Sequence, residues 1–191
     1  MERIVTAARQ LFASGGYAAT TIDAIAERAG VARPTVYATF GSKRAMLLAL
    51  VDRVEAEAEL PALLLGLRAA EGHPRRQVGL LVEFNRRLFS RGLDVLEILR
   101  GAGSAEPDLA EVWREGERRR RQGQAPLVRA WSAAGALRTD LSVKAAADIL
   151  WALTGPDVFR LVVVESGWSA RRYAGWLVET LQSALFGQRP A

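Results

Sequence analysis

Residues 16–48 read GYAATTIDAIAERAGVARPTVYATFGSKRAMLL, and their punctuation predicts two short helices about an Ala-Gly-Val turn, followed by the start of another. Ile22, Ile25, Ala26 and Ala29 recur at three- and four-residue spacing, the stripe of a helix that buries one face, and Gly30 ends it. Thr20 and Thr21 offer N-cap hydroxyls, and Thr20 with Asp23 has the spacing of a capping box. Beyond the turn, Pro34 suits the first turn of the next helix, where a missing N–H costs nothing. Val36 and Phe40 lie four apart and can face inward. Arg33, Thr35, Tyr37, Ala38 and Thr39 then fall on the outer face, a mixture of cation, hydroxyl, phenol and small group that can approach base edges and phosphate oxygens. Gly41 breaks the chain again and Ser42 caps a further helix. Lys43 stands among that helix's unpaired amides, where dipole and ammonium both attract a phosphate. A helix carried into the major groove with flanking helix ends on the backbone is the order these residues predict, so DNA binding is the leading reading.

Upstream, Ile4, Ala7, Ala8, Leu11 and Phe12 form one helical face that Gly15-Gly16 terminates. Together with Gly16-Tyr17, Thr20-Thr21, Ile25-Ala26, Ala29-Gly30-Val31, Tyr37, Phe40, Lys43 and Leu47, this pattern closely resembles the TetR family of bacterial repressors over about the first quarter of the chain. The resemblance implies an all-α homodimer: an N-terminal three-helix domain with a helix-turn-helix over about residues 21–40 that binds an operator, and a larger C-terminal helical domain that binds a small molecule. Placed on this sequence, the domains would be 1–46 and 47–191. Carried over by residue, it implies phosphate contacts from Thr21, Tyr37 and Lys43, and groove-facing roles for Arg33, Thr35 and Thr39, with Pro34 shaping the approach. Ala32 departs from the family by standing where a capping serine is common, and Thr39 by standing where histidine is common.

The 191 residues carry 26 Lys and Arg against 21 Asp and Glu, a formal charge of +5 that suits an anionic partner without requiring one. There is no cysteine and only one histidine, His73, so disulfides, thiolate metal sites and multi-histidine centres are ruled out, and no cofactor is expected. No apolar run approaches the ~20 residues of a membrane span, and the residues after Met1 lack a signal-peptide block; the expected location is the cytoplasm, with no membrane partner. No nucleophile-base pair and no phosphate loop after a strand suggests an enzyme.

In the remaining chain, a helix is expected from Ser42 to about Glu59, with Pro61 marking a kink or end. A loop at Glu71-Gly72-His73-Pro74 precedes a helix ending near Arg91-Gly92. Gly101 to Pro107 separates a shorter from a longer helix, in which Gly123 and Pro126 suggest a bend. Arg118 to Arg121 follow Glu115 and Glu117 at ion-pair spacing and read as a solvated face, and His73 as a surface residue. A ligand cavity among the middle helices would draw on Phe84, Leu88, Phe89, Leu99, Trp113, Trp131, Trp151 and Phe159. Near the end, Val158, Phe159, Leu161, Val162, Val163 and Val164 are apolar around most of a helix, and Tyr173, Trp176, Leu177, Thr180, Leu181, Ala184 and Leu185 form an unbroken stripe. Such helices could complete the protomer core. The resemblance implies instead a four-helix dimer interface built from Val158, Leu161, Val162 and the Tyr173–Leu185 stripe.

The function expected is a ligand-responsive regulator, released from its operator by a small-molecule inducer. The alternatives are a helical small-molecule binder that does not use its helix-turn-helix on DNA, and a non-specific architectural DNA-binding protein.

Overall fold

The computed structural model describes residues 1–187. Every regular element among them is helical: α1 (Glu2–Gly15), α2 (Ile22–Ala29), α3 (Arg33–Phe40), α4 (Lys43–Glu57), α5 (Leu60–Ala69), α6 (Pro74–Ala102), α7 (Pro107–Ala133), α8 (Val143–Leu153), α9 (Pro156–Phe159) with a π-helical continuation over Arg160–Glu165, and α10 (Ala170–Phe186). Serine and threonine hydroxyls start several of them. Thr21, Ser42, Ser142 and Ser169 each accept from the amide three residues on. The cap of α2 is therefore Thr21, not Thr20, whose hydroxyl donates to the Gly16 carbonyl instead.

By packing, the chain separates into one unit of residues 1–57 and 92–116 and another of 58–91 and 117–191. The boundary expected at 46/47 lies inside α4, which stays with the first unit throughout. Helices α6 and α7 each pass from one unit into the other, because both are longer than their glycines and prolines suggest.

Gly92, expected near a helix end, sits in the interior of α6. Its role is one of space: a Cβ there would overlap the isopropyl group of Val54 on α4. Likewise Gly103 lets the α6–α7 turn close, since its Cβ would come within 2.9 Å of Ala110. α7 continues through Pro126 to Ala133, and Pro61 opens a separate helix after Glu59, whose φ of 59° turns the chain.

The first unit is cored by Ile4, Ala8 and Phe12 of α1, Ile25 of α2, Val36 of α3 and Met46, Leu47 and Leu50 of α4, with Leu93, Val95, Leu99 and Leu109 from α6 and α7. Three polar links hold 92–116 to the helices before it: Arg9 with Asp94 in a two-pronged pair at 2.6 and 2.7 Å, the Tyr17 hydroxyl donating to Glu106 at 2.8 Å, and Arg44 with Asp108 at 3.3 Å. In the second unit, Val78, Val82, Val128, Trp131, Leu150 and Phe159 pack with Tyr173, Leu177, Leu181 and Leu185. The last four are fully buried within the protomer. Their assignment to a dimer interface is thereby corrected: an i, i+4 stripe states that a face is covered, and here the same chain covers it.

The arginine run is also only partly a solvated face. Arg120 bonds Glu117, the Trp151 carbonyl and the Thr154 hydroxyl, and Arg121 pairs with Asp148, so two of the four hold α7 to α8. His73 is exposed, as expected.

Candidate DNA-binding face

α3 is eight residues long, and one side of it is anchored by Val36, which is completely buried. The opposite side presents Arg33, Pro34, Thr35, Tyr37 and Ala38 to solvent, with Tyr37 42 % exposed. Pro34 occupies the first turn, and Ala32 gives the helix no side-chain cap. Gly30, left-handed at φ 62°, makes the turn from α2.

The side chains on this face engage one another. Arg33 pairs with Asp23 of α2 at 3.0 Å, lies 5.4 Å from the Tyr37 ring centre and donates toward the Tyr37 hydroxyl at 3.4 Å. That hydrogen bond and the Asp23 carboxylate hold the Arg33 guanidinium still more firmly in its charged form. Any contact from Arg33 to DNA therefore begins with release from Asp23. Thr35 is exposed. Thr39, by contrast, is half-buried and its hydroxyl donates to the Thr35 carbonyl at 2.7 Å, leaving only its methyl group and an acceptor lone pair for an outside partner. Thr21, exposed at the start of α2, accepts from the Ala24 amide and keeps its hydroxyl proton for donation outward.

Lys43 is placed differently from the expectation of an ammonium facing solvent. Its Nζ donates to the carbonyls of Tyr17, Ala18 and Thr20 at 2.9, 3.3 and 3.1 Å and lies 4.3 Å above the Tyr17 ring. These three carbonyls of the α1–α2 turn, of which that of Tyr17 also accepts from the Thr20 amide at 3.3 Å, converge on one ammonium, which carries three donors. Tyr17 is held in turn by Glu106, and burial together with that hydrogen bond pushes its phenol pKa up. Lys43 thus fixes the turn from which Thr21 and α2 begin. Lys43→Met is expected to lower stability by about 1 to 2 kcal/mol, because charge-assisted bonds to carbonyls are lost while the stem still packs. Urea denaturation checks this, and an unchanged midpoint would show that the three bonds add nothing.

The eight residues expected around a ligand cavity divide between the two units. Leu99 and Trp113 belong to the first unit, where Trp113 packs beneath Arg100, whose guanidinium is 5.7 Å from its ring. The other six lie in the second. Trp131 is a core residue, its indole N–H donating to Gln77 at 2.6 Å and its ring edge-on to Phe186. Phe89 and Phe159 stack at 5.6 Å deep in the second unit, while Phe84, Leu88 and Trp151 are half-buried. The clefts of the first unit are lined by residues such as Phe12, Tyr17 and Ile98, or Val5, Arg9 and Arg53; none of the eight lines them.

Residues 4–50, which build this face, match the model of the bacterial regulatory proteins, tetR family. This segment carries the TetR-family DNA-binding pattern. Among its relatives, the HTH-type transcriptional regulator YdeS of Bacillus subtilis is 28 % identical over 162 residues, which is 84 % of this chain and 77 % of that protein. A TetR/AcrR-family regulator from Thermobifida fusca superposes with a TM-score of 0.69 at 28 % identity, covering 99 % of this chain and 98 % of that one. A transcriptional regulator from Saccharomonospora viridis, solved in complex with choline, superposes with a TM-score of 0.77 at 23 % identity, covering 98 % and 97 %. The TetR-like fold therefore extends over the whole chain, well beyond the 47 residues whose sequence carries the family pattern, the matched span 4–50.

Proposed function

We propose that this chain is a TetR-family repressor that binds a palindromic operator as a homodimer and is released by a small molecule. The observation that carries the reading is the outward face of α3: a helix pinned by Val36 on one side, with Arg33, Thr35 and Tyr37 exposed on the other. Arg33 and Thr35, with the Thr39 methyl group, would read base edges; Thr21 and Tyr37 would donate to phosphates, and Pro34 sets the close approach. Lys43 would contribute chiefly by holding the turn that places Thr21, with its charge adding to the field felt by the backbone.

A palindrome needs a two-fold protein. The candidate interface is the apolar surface that the protomer leaves open: Leu161 and Val164 are 47 % and 61 % exposed on the π-helical segment. Val158 and Val162, beside them in sequence, and Trp176, Thr180 and Ala184 on α10 are half-buried. These residues would meet their own copies across the axis, with Tyr173, Leu177, Leu181 and Leu185 supporting them from within.

An effector would bind in the second unit; the Saccharomonospora regulator, solved in complex with choline, shows that a protein of this fold takes a small molecule. The response would travel along α6 and α7, which are continuous between the two units, to the Arg9–Asp94, Tyr17–Glu106 and Arg44–Asp108 links on the reading helices. Differential binding to two conformers worth ~1 to 3 kcal/mol would change operator affinity roughly 5- to 150-fold. Among the described residues no helix is long and apolar enough to cross a membrane, and a protein acting on bacterial DNA works in the cytoplasm.

The test is retention of DNA from upstream of the chain's own gene, with unrelated competitor present. Selective retention supports the proposal. Equal retention of all DNA points to an architectural protein, and none to a ligand-binding protein that leaves α3 unused.

A further inference from the structure

Among the described residues of the second unit, four buried polar atoms have no hydrogen-bond partner: Asn85 Nδ2 on α6, Gln124 Oε1 on α7, Trp151 Nε1 on α8 and the Tyr173 hydroxyl on α10. Asn85, Gln124 and Tyr173 are 4, 7 and 0 % exposed. A chain of contacts relates them. Gln124 Nε2 donates to the Thr154 hydroxyl oxygen at 2.9 Å, and Arg120, 5.2 Å from the Trp151 ring, donates to the same oxygen and to the Trp151 carbonyl. Tyr173 feels the Arg120 charge, which opposes the upward push of burial on its phenol. Its ring is 5.0 Å from that of Phe159, which in turn meets Phe89, one helical turn from Asn85. The orientation of Gln124 is fixed, because the Thr154 proton is already given to the Leu150 carbonyl at 2.6 Å; the amide must turn its N–H₂ to Thr154 and its oxygen away.

Leaving one such atom dry is costly, and four from four different helices of one unit call for an explanation. Each would be satisfied by a guest. The groups on offer comprise donors from Asn85 and Trp151, an acceptor from Gln124, and a Tyr173 hydroxyl that can do either. The formal charges beside them cancel in pairs, Arg120 with Glu117 at 2.7 Å and Arg121 with Asp148. An ionic guest would arrive without a counter-charge and lose its hydration for nothing. Phe89, Phe159 and Tyr173 supply flat apolar walls.

We propose that Asn85, Gln124, Trp151 and Tyr173 form the effector subsite, and that it takes an uncharged aromatic molecule bearing a hydrogen-bond donor beside an acceptor, as in an aryl carboxamide. This rests on the chain being a ligand-responsive regulator. The amide N–H₂ donates to Gln124 Oε1, and its oxygen accepts from Tyr173 or Trp151. Entry is past the half-buried Trp151 ring, over which the Arg120 and Arg121 guanidiniums lie at 5.2 and 5.0 Å.

The test titrates benzamide, toluene and benzoate into the ¹⁵N-labelled full chain and follows the Trp151 indole N–H, assigned with Trp151→Phe. Benzamide is expected to shift it saturably, and toluene and benzoate to bind at least about tenfold more weakly. Tyr173→Phe and Gln124→Leu should each weaken benzamide about tenfold. Tyr173→Phe should also raise the thermal midpoint of the unliganded chain, because it removes an unpaired hydroxyl; a purely structural hydroxyl bonded to buried water would give the opposite shift. Absence of a saturable benzamide shift, equal binding of toluene or benzoate, or unchanged affinity in Tyr173→Phe overturns the proposal. Retention of upstream DNA, measured on the same preparation, separates the two levels: specific retention with no benzamide response rejects this subsite alone, whereas loss of specific retention rejects the regulator.

Discussion

Leu161→Asp combined with Val164→Asp is expected to convert the protein from dimer to monomer and to reduce operator affinity by about 10²- to 10⁴-fold, the loss that accompanies replacing two linked reading heads by one. Both side chains are exposed on the isolated protomer, so helix content should be unaffected, and the change should appear only in sedimentation velocity and in DNA binding. An aspartate in a closed apolar interface must either shed its hydration or force the surfaces apart, and two such residues meeting their symmetry copies repel one another as well. The neighbouring stripe gives the control. Leu181→Ala lies on the same helix as Trp176 and Thr180 but is fully buried, so it should lower stability by about 2 to 5 kcal/mol without dissociating the dimer. A wild-type chain that sediments as a monomer, or a doubly substituted chain that remains a dimer, would remove the Leu161–Val164 surface from the account.

At the reading face, Arg33→Ala and Tyr37→Phe should separate two kinds of contact. Loss of Arg33 is expected to cost about 10- to 100-fold in operator affinity and to relax preference at one base pair in each half-site, as for a side chain that reads a base edge. Loss of the Tyr37 hydroxyl should weaken operator and unrelated DNA alike, by about fivefold, with no change in preference. A third variant follows from the Asp23–Arg33 pair, which competes with DNA for the guanidinium. Asp23→Asn should strengthen binding, by at most about fivefold because an exposed pair is weak, and should flatten no part of the salt dependence that arises from Arg33 itself. Competition binding over a randomised half-site measures all three. If Arg33→Ala left preference intact, Arg33 would be a backbone contact.

The reading head was largely legible in the sequence because its signals are local. Thr21 and Ser42 cap the helices they precede, and Gly30 takes the left-handed turn; each is read from two or three neighbouring residues. Lys43 was not legible in the same way. Its partners are the carbonyls of Tyr17, Ala18 and Thr20, more than twenty residues back, and nothing in the sequence near Ser42 shows that they converge there. Gly92 misled for a related reason. As a weak helix former it suggests an end, whereas its purpose is to admit Val54 from 38 residues away, counting from 54 to 92. In α10 the periodicity of Tyr173 to Leu185 marks a covered face, but a hydrophobic stripe does not record which chain supplies the cover; for Tyr173, Leu177, Leu181 and Leu185 it is the protomer itself. The unpartnered polar atoms of Asn85, Gln124, Trp151 and Tyr173 had no sequence signature, because they come from four helices and only packing buries them without a partner.

The central claim is that two copies of α3 enter successive major grooves on one side of the duplex. Methylation interference at guanine N7 on a retained upstream fragment examines this directly, since N7 lies in the major groove and its methyl group blocks a helix seated there. Two patches of interference, related by a dyad and centred about one helical turn apart, roughly 10 base pairs or 34 to 36 Å, are predicted. A single patch, patches with no two-fold relation, or binding indifferent to N7 methylation would contradict it.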